Sequence, residues 1–119
     1  MTELASQKLT DELSSIFSLP DANCFFIDGD NIGDKSSFLR EFFVKLKFPE
    51  YFGFNWDAFS DCLTDLSWLN LQRGLLIVYN NSQKFRINNQ NEWKIANDIL
   101  LDAMDYWKLS GKSMIIVFL

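Results

Sequence analysis

Apolar residues in this chain follow two different rhythms. Three short runs are apolar nearly throughout: residues 24–28 (CFFID), 75–79 (LLIVY) and 113–119 (SMIIVFL). Turn residues bound them, with Gly29-Asp30-Asn31 after the first, Gly74 and Asn80-Asn81 around the second, and Gly111 before the third. Runs of this length and composition predict buried strands. Between them, apolar positions recur at helical spacing. Residues 3–17 carry Leu4, Leu9, Leu13, Ile16 and Phe17, a short amphipathic helix stopped at Leu19-Pro20-Asp21. Asp34 is placed to cap a second helix that buries Phe38, Leu39, Phe42, Phe43 and Leu46 and ends before Pro49. Asn55 caps a third over 56–66, with Trp56, Phe59, Cys62, Leu63 and Leu66 on one face. Residues 80–91 are polar and read as a loop. A last helix over 92–108 aligns Trp93, Ala96, Ile99, Leu100, Ala103, Met104 and Trp107, and Gly111 stops it.

Apolar strands separated by helices predict an α/β domain, a three-stranded parallel sheet packed with helices. The expected division is an N-terminal helical extension over 1–22 and a domain over 23–119. A chain of 119 residues with 48% apolar content and 12 Phe is long and apolar enough to fold around a core without cross-links. Cys24 and Cys62 have no metal-ligand spacing and read as small hydrophobes in a reducing compartment. The first 22 residues lack a signal-peptide pattern, and no apolar run approaches a membrane span. The expectation is a cytoplasmic protein with no membrane partner.

Charge narrows the chemistry. A net charge of -5 argues against non-specific nucleic-acid binding, which needs Lys and Arg, and leans towards a basic partner. The absence of histidine removes the commonest general base and transition-metal ligand. The acids are also unevenly placed. Asp57, Asp61 and Asp65 form a stripe opposite the apolar face of their helix, and Asp98, Asp102 and Asp105 form another. Neither 48–72 nor 95–107 contains a Lys or Arg. Solvated helix faces usually mix signs, and like charges four apart repel. Three explanations compete: plain solvated surface, a Mg²⁺ site for phosphoryl chemistry, or an interface for a cationic partner. The Mg²⁺ reading lacks support from phosphate-binding motifs, because Gly29-Asp30-Asn31-Ile32-Gly33 has neither a dinucleotide glycine fingerprint nor a Gly-Lys-Ser/Thr signature.

Residues 49–64 (PEYFGFNWDAFSDCLT) are more specific. They resemble the central segment of the barstar family, small intracellular inhibitors of barnase-type ribonucleases. That segment runs Pro-Glu-Tyr, an aromatic, Gly, any residue, Asn, an apolar residue, Asp-Ala and then Asp-Cys-Leu. Looser agreement continues at 26–29, 99–104 and 114–119, so the resemblance covers about 24–119. It implies a barstar-like fold and no catalysis, metal or cofactor. It also implies that the second helix of the domain and the loop before it plug a ribonuclease active site. Matched residue by residue, the resemblance assigns partner binding to Tyr51, Asn55, Asp57, Asp61 and Asp102. Asp61 would take the place of substrate phosphate, Asp57 would meet neighbouring cations, Tyr51 would stack near the catalytic group, and Asp102 would reach a rim Arg. Ser60 stands where the best-known member has Trp, and Asp102 is shorter than the family's glutamate. Asp65 has no assigned role. The expected molecule is a monomeric immunity-type inhibitor of a basic ribonuclease. The alternatives are an inhibitor of the same architecture against a non-ribonuclease toxin and, distantly, a Mg²⁺-dependent phosphohydrolase.

Overall fold

A computed structural model describes residues 23–71 and 74–119. The expected helix over 3–17 and the N-terminal extension lie outside the described residues. Three strands form one parallel sheet in the order β1-β2-β3: β1 (Cys24–Asp28), β2 (Gly74–Asn80) and β3 (Ser113–Phe118). Four helices connect them: α1 (Lys35–Lys45), α2 (Trp56–Leu63), α3 (Ser82–Asn88) and α4 (Gln90–Leu109). The α/β, three-stranded parallel architecture read from the sequence is the one observed.

The register places Phe26 beside Val78 and Ile77 beside Ile116. Side chains alternate across the sheet, so Ile27, Leu75, Ile77, Tyr79 and Met114 meet the helices in one core. Phe38 and Phe42 of α1 and Phe59 of α2 sit at its centre, with ring centroids 4.7–5.2 Å apart. Gly74 opens β2 at φ 142 with its Cα against the Ser113 carbonyl, where a Cβ would collide.

The caps follow from local chemistry. The Asp34 carboxylate accepts from the Ser37 N–H at 2.8 Å, and the Ser37 hydroxyl accepts from the Asp34 N–H at 3.1 Å, a reciprocal capping box. At the end of α4, Gly111 takes φ 82, the Lys112 N–H bonds the Trp107 carbonyl and the Gly111 N–H bonds that of Lys108. This Schellman closure is what Gly111 supplies by lacking a Cβ.

Two expectations change. Residues 80–91 are not a loop: they hold α3 and the start of α4. The polar sequence hides α3 because one residue, Phe85, anchors it. Phe85 is fully buried, 5.3 Å from Phe38 and 6.1 Å from Trp93, while Gln83, Lys84 and Arg86 face water. Tertiary burial, not periodicity, forms this helix. The second change is that α2 ends at Leu63, not 66. Thr64 caps it, its hydroxyl donating to the Ser60 carbonyl at 3.0 Å, and Leu66 turns into the left-handed region at φ 50. Leu66 is still buried, but from a loop.

Candidate functional site

The site begins with an aromatic loop. The Phe52 N–H closes a turn onto the Pro49 carbonyl at 2.9 Å. Phe52 is buried between Phe43, Phe48 and Phe54, at centroid distances of 6.0, 5.0 and 4.8 Å. Its neighbour Tyr51 therefore projects outward and is 78% exposed. Phe54, at φ 51, lies half over Phe43, with the Arg40 guanidinium 5.9 Å from its ring centre. Tyr51 faces solvent fully and Phe54 in part.

Asn55 then starts α2. Its side-chain oxygen accepts from the Ala58 N–H at 2.8 Å, satisfying one of the helix's orphan donors. Two indoles hold α2 to α4. The Trp56 Nε1–H donates to the Glu92 carboxylate at 2.8 Å, and the buried Trp107 Nε1–H donates to the Leu63 carbonyl at 2.8 Å. Trp56 also packs on Phe38 and Phe59, at 5.5 and 6.0 Å. With its apolar face held down in this way, the opposite face of α2 is presented to solvent.

Asp57 and Asp61 stand on that outer face, four residues apart and both exposed. Asp65 is exposed too, but on the loop after the helix. The stripe read from the sequence is thus two helical carboxylates and one loop carboxylate. A groove of ≈ 210 Å³ joins loop and helix, lined by Tyr51, Phe52, Ala58, Asp61, Cys62 and Asp65. Tyr51 and Asp61 come together there. Asp57 lies one turn away, and Asp102 is exposed on α4 outside the groove lining. Asn55 lies outside the groove lining, with its acceptor already committed to the cap. Asp65 is the groove residue whose role was not legible. Its spacing from Asp61 was visible, but it suggested a helical neighbour, not a loop carboxylate folded back to the rim.

The electrostatics are one-sided. Among the described residues the only ion pair is Lys45–Glu41, at 3.2 Å on α1, so no described cation pairs with Asp57, Asp61 or Asp65. The Cys62 thiol reports this field. Burial pushes its pKa up, and the charges of Asp65 and then Asp61 push it further, so the neutral thiol is favoured over the thiolate. Among the described residues, no group of three or more His, Cys, Asp or Glu could hold a metal ion. No described helix is long and apolar enough to cross a membrane.

A larger hollow, ≈ 350 Å³, lies elsewhere, between Asp30, Asn80, Asn81, Gln83 and Leu119. Its polar groups are tied into the turns: Asn80 accepts from the Gly29 N–H at 2.8 Å, Asn81 donates to Asp30 at 2.8 Å, and Lys84 donates to the Asp30 carbonyl at 2.7 Å. The smaller groove is the stronger candidate, because its carboxylates are unpaired and an exposed aromatic stands beside them. Compared with known proteins, residues 22–119 match the family model described as Barstar (barnase inhibitor). No curated protein matches the chain.

Proposed function

The chain belongs to the barstar family, a family of non-catalytic inhibitors, and from that premise we propose that it inhibits a basic ribonuclease by occluding the active site. The plug is α2 with the loop before it. Asp61 enters the position of a substrate phosphate and accepts forked hydrogen bonds from the enzyme's Arg and Lys groups. Asp57 meets cations one helical turn away, and Tyr51 supplies a flat, exposed surface to stack beside the catalytic group. Asp65 adds a second acceptor at the groove edge. Asn55 serves the interface by holding the first turn of α2 in place. Asp102 belongs to the rim.

One observation carries this reading: Tyr51 and Asp61 share the groove, and no described cation neutralises Asp61. A fixed carboxylate without an internal partner is prepared for an external one, and no internal ion pair must break first. Each charge-assisted hydrogen bond formed there contributes about 1.5–3 kcal/mol. The inhibitor works as a cytoplasmic monomer, as immunity against the producer's own enzyme or a delivered toxin, and needs no cofactor.

The test is a titration of the full chain into a barnase-type ribonuclease, following RNA cleavage. Activity is expected to fall to zero at one equivalent. Unchanged cleavage at saturating chain would reject the ribonuclease as target and favour a different toxin. A Mg²⁺ titration addresses the enzyme alternative, since saturable binding lost in Asp61→Ala would contradict an inhibitor role.

A further inference from the structure

Apart from the Lys45 ammonium of α1, 5.6 Å from the Phe26 ring centre, the four helices leave the cover of one face of the sheet unaccounted for. They pack on the side of Ile27, Ile77 and Tyr79. On the other side, Phe26, Leu76 and Val78 form a second apolar cluster, edged by Cys24, Ile115 and Val117. Leu76 and Val78 have no exposed surface at all. Side chains on the central strand of a sheet are flanked by neighbouring strands, but only a layer above them can remove them fully from water. Among the described residues, every hydrophobic member of this cluster is itself a strand residue.

We infer that residues 3–17 dock across this face as its missing layer, so that the N-terminal segment is an integral part of the domain's second core. The occupant is argued from size, route and pattern. A helix over 3–17 would be about 22 Å long and about 10–12 Å wide. Three strands spaced about 4.8 Å apart, rising about 3.3 Å per residue, present a face of about 10 by 20 Å. One helix of this length fits it. The route is short. The buried Asn23 side chain donates to the Gly74 carbonyl at 2.9 Å, so the chain enters β1 beside the start of β2. Residues 18–22, with Pro20, would be a connection of ordinary length between such a helix and β1. The pattern supplies the surface, because Leu9, Leu13 and Ile16 recur at spacings of four and three and line one side of such a helix. A second copy of the chain would have to compete with a tethered segment, whose effective concentration is in the millimolar range.

The test uses the full chain with the photo-crosslinker p-benzoylphenylalanine replacing Leu9 or Leu13, one at a time. Irradiation is expected to give intramolecular cross-links to peptides bearing Phe26, Val78, Ile115 or Val117. Cross-links confined to α1–α4, cross-links between two copies, or none, would overturn the inference. A milder variant gives a second readout. Leu13→Ala is expected to speed thiol labelling of Cys24, on this face, severalfold while leaving Cys62, beneath the acidic groove, unchanged. Equal acceleration at both thiols, or at neither, would contradict docking on this face.

Discussion

Asp61 is exposed, lies on a rigid helix and has no ion-pair partner among the described residues. Its charge costs little in the free protein and is available to a partner's cations. Asp61→Ala should therefore weaken binding by about 2–5 kcal/mol, the usual loss when one member of a buried charged pair is truncated. Asp98→Ala, on α4 outside the groove lining, should cost less than about 1 kcal/mol. Calorimetric titration of both variants checks this, and equal losses would contradict the geometry. Asp34 offers a test of stability instead. Hydrogen bonds from Ser37 hold its carboxyl below the ordinary aspartate pKa. Its folded pKa is depressed, so its contribution is present above the unfolded value and is lost as pH falls below about 4. Asp34→Ala should lose stability at neutral pH and show a shallower acid decline, as measured by denaturant melts across that range. At this scale much of the site was legible. Asp57, Asp61 and the two caps could be read from residue type and spacing. The direction of Tyr51 could not, because it depends on Phe52 turning inward beside it.

At the scale of elements, the strands and long helices were visible because their apolar periods are strong. The two misreadings share a physical cause. Phe85 anchors α3 through contacts with Phe38, far from it in the chain, and with Trp93 on the next helix. α2 ends at its Thr64 cap because the backbone turns left-handed at Leu66, although the apolar spacing continues to Leu66. Local pattern carries neither fact. The presentation of α2 also depends on ties that spacing alone does not show. Trp107→Phe keeps a ring in the core but leaves the Leu63 carbonyl without its indole donor. The expected cost is about 1–3 kcal/mol, read from denaturant unfolding. Asn55→Ala should cost about 0.5–2 kcal/mol of stability through the lost cap. If Asn55 acts only by holding α2, its loss of affinity should be smaller than that of Asp61→Ala. A loss as large would mean that Asn55 also touches the partner directly.

At the scale of the whole molecule, the net charge is -5 and the segments 48–72 and 95–107 carry acids without a Lys or Arg, so a basic enzyme would be drawn to them from a distance. Association should slow as salt rises while dissociation changes little, which stopped-flow mixing at two or three salt concentrations can measure. The central claim, however, is occlusion: the acidic helix and the substrate phosphate occupy the same place. Mutual exclusion tests it most directly, by titrating the chain into a barnase-type ribonuclease at increasing concentrations of a nucleotide monophosphate that fills the active site. The expected result is an apparent dissociation constant that rises in proportion to nucleotide concentration, with no ternary complex. An affinity unaffected by saturating nucleotide would contradict the account, because it would place the acidic helix somewhere other than the active site.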